Sequence, residues 1–183
     1  MLLGDWVLDV QTGEGLFGVN LARAFTRAKV IATESDAEKL QKARENALAE
    51  GCEARMRFVL CSPDALPLKD ESFWFTTLGL RLMDEEEPLD ALDQIHRVTG
   101  FLGKVYVGGA DLRKMKKKPR GVNPWVFDEE TLAGMKEIGF GKIQVSQIAM
   151  QSDGSRLHLL MTKRFDADED GEEGEDGEDE DDD

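Results

Sequence analysis

The chain has 183 residues and a formal net charge of −15, and its length fits one domain. The charge lies at one end, because residues 166–183 hold 14 of the 38 acidic residues and no basic residue. No apolar stretch approaches the roughly 18 residues that a membrane helix needs. With two cysteines and no signal-peptide pattern, the composition excludes a disulfide-stabilised secreted protein and predicts a cytoplasmic location.

The first third of the chain predicts strands that alternate with helices. Residues 6–10 are apolar and β-prone and run into glycines, which indicates a buried strand and a tight turn. A helix follows over 16–25, and a second strand over 29–33 ends at Glu34. Ser35 and Glu38 have the spacing of a capping box at the start of the next helix. That helix is predicted to bury Ala37, Leu40, Ala43, Ala47 and Leu48 and to end at Gly51.

The rest of the chain continues this alternation and ends in a hairpin. Strands are predicted at 56–61, 73–80, 103–109, 142–150 and 156–162. One helix opens at Pro88 and buries Leu89, Leu92, Ile95 and Val98, and another is capped by Asp128 and carries Leu132, Met135 and Ile138. The pattern predicts an α/β fold with a mostly parallel sheet covered on both faces. The acidic segment 166–183 is predicted to be a disordered tail.

The turn after the first strand is the main candidate site. Asp9 is followed by Gln11, Gly13 and Gly15, and glycines at such a turn let a ligand approach the backbone closely. Glu34 ends the second strand, where a carboxylate can accept hydrogen bonds from ribose hydroxyls. An ordinary turn beside a surface glutamate is the alternative. Residues 13–18 also match the GxGxxG pattern of dinucleotide-binding proteins, although a spacer separates that pattern from the strand.

Five stretches in the same order resemble the class I S-adenosylmethionine-dependent methyltransferases, in the branch that includes quinone-biosynthesis enzymes. The matching stretches are 7–15, 30–34, 66–73, 95–98 and 132–140. The resemblance implies a Rossmann-like domain over residues 1–165, with a seven-stranded, mostly parallel sheet, an antiparallel last strand and helices on both faces. It also implies S-adenosylmethionine as the cofactor.

The resemblance assigns cofactor-binding roles by position. Asp9, Gln11, Gly13 and Gly15 would line the methionine part, Glu34 would bind the ribose, Ser62 and Pro63 would lie beside the adenine, and Thr77 would lie near the methyl group. Gln11 stands where the family has its first glycine, Ser62 where it usually has an acidic residue, and Trp74 where it usually has aspartate.

These departures leave three functions open. The first is a methyltransferase that acts on an unidentified acceptor. The second is a non-catalytic relative that serves as a binding or scaffolding module. The third is an NAD-dependent oxidoreductase, which only the GxGxxG match supports.

A basic segment at 113–120 follows the fifth predicted strand and so should lie at the carboxyl end of the sheet. The candidates for contact with an anionic acceptor or partner are Lys116, Lys117, Arg120 and Trp125. A solvated loop, or a loop contacted by the acidic tail, is the alternative.

The sequence assigns no catalytic base and no metal. We interpret His96 and His158 as structural or surface residues. Cys52 and Cys61 lack the spacing of metal ligands. Membrane association is not expected, and the sequence leaves the oligomeric state open.

Overall fold

The structure, a computed structural model, describes residues 6–79, 88–110, 129–149 and 155–163. The strands are β1 (Trp6–Val10), β2 (Lys29–Glu34), β3 (Met56–Leu60), β4 (Phe73–Gly79), β5 (Thr99–Ala110), β6 (Phe140–Ala149) and β7 (Ser155–Lys163). The helices are α1 (Leu16–Ala24), α2 (Ala37–Ala49), α3 (Pro88–Val98) and α4 (Glu129–Glu137), with a short 3-10 turn at Glu53–Arg55. The predicted Asp128 cap, the turn of the last hairpin and the acidic tail lie outside the described residues.

The seven strands form one sheet in the order β3-β2-β1-β4-β5-β7-β6. Neighbours from β3 to β5 pair in parallel, whereas β7 is antiparallel to both β5 and β6. This confirms the predicted α/β fold with its antiparallel last strand. β2 lies on one side of β1 and β4 on the other, so the strand order reverses between β1 and β4. Ligands in open α/β sheets bind outside the carboxyl ends of strands at such a reversal.

Helices pack on both faces of the sheet, so apolar side chains line both faces of the central strands. On one face, α3 and α4 pack on a core that contains Leu8, Val10, Phe73, Leu92, Ile95, Val98, Met135 and Phe140. On the other, α1 and α2 pack on a core that contains Val19, Ala22, Val30, Ala32 and Ala47. Each fully buried leucine, isoleucine or phenylalanine contributes about 1.5–3 kcal/mol to the stability of the folded state, relative to the same side chain left in water. These two cores fix the strands whose ends carry the candidate site.

The N-cap of α2 is Asp36, so the predicted cap at Ser35 is wrong by one residue. Asp36 has an extended backbone, and its Oδ1 accepts from the N–H groups of Glu38 at 2.9 Å and Lys39 at 3.2 Å. These two bonds satisfy amides that have no partner within the helix. Ser35 is used elsewhere, because its own N–H donates to Glu34.

Three apolar positions and one strand end differ from the sequence prediction. Ala37, Leu48 and Leu89, all predicted to be buried, are exposed, the two leucines to 65% and 36%. β5 begins at Thr99 rather than at Gly103, and Thr99 pairs with Phe73. Glycines are depleted in strands, so Gly100 and Gly103 hide this extension in the sequence. No helix in the described part of the chain is long and apolar enough to cross a membrane.

Candidate functional site

The turn between β1 and α1 is built from left-handed backbone. Gln11, Gly13 and Gly15 have φ values of 52°, 59° and 87°. Thr12 N–H donates to the Thr33 carbonyl at 2.9 Å, which holds the turn against the end of β2. A Cβ at Gly15 would lie 3.0 Å from the Ala43 Cβ, whereas a Cβ at Gly13 would meet nothing within 4 Å. Gly15 therefore lets α1 approach α2, and Gly13 faces open space.

Asp9 is a buried carboxylate that ties four elements together. It accepts from the hydroxyls of Thr12 at 2.6 Å and Thr77 at 2.8 Å, and also from the Gly18 N–H. Burial raises the pKa of Asp9 to about 6, although these hydrogen bonds act to lower it. A Cβ at Gly18 would lie 2.6 Å from Asp9 Oδ2, so α1 approaches the carboxylate only because position 18 is glycine. Asp9 thus positions the turn from behind.

Glu34 ends β2 and is only 3% exposed. Its Oε2 accepts from the Gly13 N–H at 2.8 Å. Its Oε1 accepts from the N–H groups of Ser35 at 3.0 Å and Asp36 at 3.2 Å. The structure therefore brings the turn and the carboxylate, which lie 21 residues apart in the chain, into direct contact.

Gln11 adds a side-chain donor to the same carboxylate, whose Oε1 also has the Ser35 hydroxyl at 3.4 Å. With its amide nitrogen facing Glu34, it donates to Oε1 at 2.8 Å and to Oε2 at 3.1 Å. In this orientation its carbonyl oxygen accepts from the Ser35 hydroxyl at 3.2 Å. A glycine at this position would make neither contact.

The other predicted cofactor-binding residues lie along the same edge of the sheet. Cys61 N–H donates to the Glu34 carbonyl at 3.0 Å, so the segment after β3 begins beside β2. Within that segment Ser62 is exposed and Pro63 is buried. Thr77 pairs with Asp9 across β1 and β4, and its buried hydroxyl is used by that carboxylate. Thr77 is thus a neighbour of Asp9, and its predicted place near a methyl group stays a prediction.

The start of α1 supplies a positive dipole to this edge. Its N-cap, Gly15, makes no side-chain cap, and the first turn of the helix contains no acidic residue. The helix dipole and the first amide groups favour an anionic group at this position. The amide of Gly18 is already used by Asp9.

This arrangement fits the parts of S-adenosylmethionine. Open space borders Gly13, the start of α1 can receive a carboxylate, and the Glu34 carboxylate lies beside this turn at the end of β2, the position suited to ribose hydroxyls. The fit concerns the arrangement of these residues, and the binding role of each one stays a prediction.

A second concave region lies between α1 and the strands β1, β4 and β5. It is an apolar groove of about 450 Å³, lined mainly by Val7, Phe17, Leu21, Phe25, Trp74, Phe75 and Tyr106. The Phe17 and Tyr106 rings stack with centroids 5.5 Å apart, and Trp74 is 46% exposed. Few polar atoms line this groove, so it does not match a ligand that carries hydroxyls and charges. The polar edge is therefore the candidate cofactor site.

Several predicted residues lie outside the described part of the chain, namely Lys116, Lys117, Arg120 and Trp125, as does the side chain of His158. His96 packs edge-on against Phe140 with ring centroids 5.0 Å apart, away from the candidate site. Within the described ranges, no three His, Cys, Asp or Glu side chains are grouped so that they could hold a metal ion. The expected absence of a metal stays a prediction.

Sequence reasoning missed two residues that build the site. Thr12 donates to Asp9, and Gly18 makes room for that carboxylate. Gly18 had a sequence signal as the last glycine of the GxGxxG match. Here its role is close packing against Asp9.

Comparisons with known sequences agree on one family. A family model described as a methyltransferase domain matches residues 7–100. A ubiquinone/menaquinone biosynthesis C-methyltransferase of Xylella fastidiosa is 29% identical over 105 residues, which is 57% of this chain and 42% of that protein. The corresponding protein of Legionella pneumophila is 31% identical over the same shares. The matched region thus spans less than half the length of these relatives.

Solved structures share the fold. An S-adenosylmethionine-dependent methyltransferase from Aquifex aeolicus superposes with a TM-score of 0.69 at 20% identity, covering 88% of this chain and 84% of that chain. A [4+2]-cyclase, SpnF, superposes with a TM-score of 0.74 at 18% identity, covering 87% of this chain and 74% of that chain. Because proteins named for different reactions share this architecture, the fold alone does not define the chemistry.

Proposed function

The chain belongs to the S-adenosylmethionine-dependent methyltransferase family, and we propose that it binds this cofactor and transfers its methyl group to an acceptor. The observation that carries the proposal is the contact between Gly13 N–H and the buried Glu34 carboxylate at the carboxyl edge of the sheet. A loop amide and an acceptor carboxylate side by side are suited to an adenosyl group.

The residues of this edge have separate tasks in the proposal. Glu34 accepts from the ribose hydroxyls, and the Gly13–Gly15 backbone with the start of α1 receives the carboxylate of the ligand. Ser62 and Pro63 lie beside the adenine. Asp9, which is enclosed by Thr12 and Thr77, keeps the turn in place and is a positioning residue.

The chemistry requires little from side chains. When bound, the cofactor supplies a methyl group already activated by its sulfonium. The chain holds the acceptor in line with that methyl group and excludes water. A base is required only if the acceptor must lose a proton, and we assign none.

Calorimetric titration of the full chain with S-adenosylmethionine, S-adenosylhomocysteine and NAD tests the proposal. We expect binding of the first two and none of NAD. Absence of binding by a folded chain would overturn the proposed methyl transfer, and binding of NAD alone would favour an oxidoreductase.

A non-catalytic binding or scaffolding module is the second candidate function. One observation favours it: the Gln11 amide already contacts both oxygens of Glu34. A folded chain that binds no adenosyl ligand in the same titration would support this second function.

For the acceptor side, we propose an anionic molecule contacted by the basic segment 113–120, on the evidence of its sequence and its position after β5. Glutamate substitutions at Lys116 and Lys117 should weaken the binding of a short polyanionic oligonucleotide at low salt. The same substitutions at Lys39 and Lys42, which are exposed on α2, serve as a control. If both pairs of substitutions have equal effects, the segment has no specific role.

We also propose a cytoplasmic location, which the small number of cysteines supports.

A further inference from the structure

The acceptor capacity of Glu34 is already filled by the chain itself. A carboxylate has two oxygens and about four lone-pair positions. The N–H groups of Gly13, Ser35 and Asp36 take three of them, and the Gln11 amide donates to both oxygens. Ribose hydroxyls can therefore reach this carboxylate only if one of these donors leaves.

Three of the four donors cannot leave without unfolding part of the site. The amides of Ser35 and Asp36 belong to the link between β2 and α2, and the Gly13 amide lies in a turn that is hydrogen-bonded to Thr33 through its neighbour Thr12. Two side-chain groups face this carboxylate, the Gln11 amide and the Ser35 hydroxyl, which lies 3.4 Å from Oε1. When the Gln11 amide faces Glu34, the hydroxyl donates its single proton to the Gln11 carbonyl oxygen at 3.2 Å, so Gln11 is the donor that holds the carboxylate through a side chain. That side chain is half-buried, so it can rotate towards solvent. We therefore expect the Gln11 side chain, rather than a backbone amide, to leave Glu34 when a ligand binds.

The backbone at Gln11 supports a role for the side chain rather than for the turn. Its φ of 52° lies in the left-handed region, where glycine is least strained. A glycine would make the same turn with less strain. What glutamine adds at this position is the contact with Glu34.

We infer that Gln11 occupies the ribose-binding carboxylate in the free protein and competes with the ribose hydroxyls, so that it sets the affinity for adenosyl ligands. This inference rests on the proposed function. Each ligand that binds must exchange the hydrogen bond of the Gln11 amide for its own. The exchange lowers the net gain from the hydroxyls.

The test compares two ligands that differ only in the hydroxyls concerned. Adenosine and 2′,3′-dideoxyadenosine are titrated into the wild-type chain and into the Gln11→Ala variant, which lacks the amide. We expect the variant to bind adenosine about tenfold more tightly, as expected for one released hydrogen bond to a charged group. The affinity for the dideoxy ligand should stay within about twofold, because that ligand does not need the carboxylate. A purely structural role of Gln11 would change both affinities together.

Two further variants separate the side chain from the backbone. Gln11→Gly removes the amide and also the strain of the left-handed backbone. Lys142→Gly relieves a similar φ of 50° at an exposed position in β6 and should leave both ligand affinities unchanged. If Gln11→Gly and Gln11→Ala tighten adenosine binding equally, the amide is responsible rather than the backbone.

The outcomes distinguish this inference from the proposed function. Tighter adenosine binding by the Gln11 variants than by the wild-type chain supports it. Unchanged or weaker adenosine binding by Gln11→Ala overturns it and leaves the proposed function intact, since Gln11 would then support the carboxylate. If neither the wild-type chain nor the variants bind adenosine or S-adenosylhomocysteine, both are overturned.

Discussion

The two edges of the sheet differ in the sign of their least exposed charged side chains, which are buried at one edge and half-buried at the other. At the carboxyl edge the charged groups are carboxylates, and backbone amides, hydroxyls and the Gln11 amide hold Asp9 and Glu34. At the amino edge they are cations. Arg97 donates to the carbonyls of Leu66 and Leu68, each at 2.8 Å, to the Gln94 side chain and to Asp70. The least exposed charged groups of the two edges thus have opposite signs, and most of their partners are neutral.

The difference lies in what each arrangement leaves for a ligand. The amino-edge cations bridge loop and helix ends: Lys163, for example, donates to the His96 carbonyl at 3.2 Å and to Glu71 at 3.4 Å. At the carboxyl edge, the Gln11 side chain can move and open space borders Gly13. We expect the amino edge to stabilise the fold and the carboxyl edge to bind the ligand. The predictions below test this division.

The largest expected effect concerns the pH dependence of stability through Asp9. Because burial raises the pKa of Asp9 from 3.8 to about 6, the unfolded chain loses this proton at lower pH than the folded chain does. The contribution of Asp9 to the free energy of unfolding is therefore greatest below about pH 4 and falls by about 3 kcal/mol as the pH rises through about 6.

Urea unfolding of the wild-type chain and of Asp9→Asn between about pH 4 and pH 7 measures this contribution. The other carboxylates are common to both proteins, so the difference between the two curves isolates Asp9. A difference that does not change with pH would show that Asp9 is not destabilised by burial.

The next effect is on binding at the carboxyl edge. Glu34→Gln replaces a carboxylate with two acceptor oxygens by an amide with one. We therefore expect S-adenosylhomocysteine to bind about 100-fold more weakly, a loss of about 2.7 kcal/mol of binding free energy. Calorimetry measures this loss, and circular dichroism checks that the variant is folded. Glu38→Gln, at an exposed position in the first turn of α2, is the control and should bind like wild type. Equal affinities for all three proteins would exclude Glu34 from the site.

At the amino edge we expect the opposite result. Arg97→Ala leaves the Leu66 and Leu68 carbonyls without a charged donor and should lower the free energy of unfolding by about 2 kcal/mol. Ligand affinity of the folded variant should stay within about twofold of the wild type. Arg23→Ala removes an exposed ion pair with Glu50 and should cost about 0.5 kcal/mol. A large loss of affinity in Arg97→Ala would contradict the division between the edges.

The smallest effect separates two glycines of the turn. Gly13→Ala meets no atom but places alanine at a φ of 59°, so we expect a loss of about 1 kcal/mol. Gly15→Ala has the same kind of strain and also approaches Ala43, so it should lose more. Thermal unfolding of the two variants checks the order. If Gly13→Ala is the less stable protein, the structure of the turn is wrong.

The sequence predicted the fold well because its strongest signals are local. The apolar run at 6–10 forms β1 as expected. The glycines at 13 and 15 have positive φ, as a tight turn demands. The predicted inner residues Leu92, Ile95 and Val98 of α3 are completely buried. Periodicity worked less well at helix ends, where Ala37, Leu48 and Leu89 remain exposed because a residue in a terminal turn has fewer neighbouring elements to pack against.

The candidate site was predicted only in part. Glu34 and the turn were identified from their positions after two strands, and a hydrogen bond joins them. The N-cap at Asp36 was missed because Ser35 and Asp36 are both good caps, and the choice depends on which residue the end of β2 leaves free.

The sequence by itself determined the order of strands and helices, the position of the turn and the residues at the strand ends, since all of these depend on neighbours in the chain. The tertiary structure alone decided how Asp9 and Glu34 are satisfied. Their partners Thr77, Gly18 and Gln11 reach them only when β4, α1 and the left-handed turn are packed together. Hydrogen bonds of this kind depend on distances between elements, and no local pattern encodes those distances.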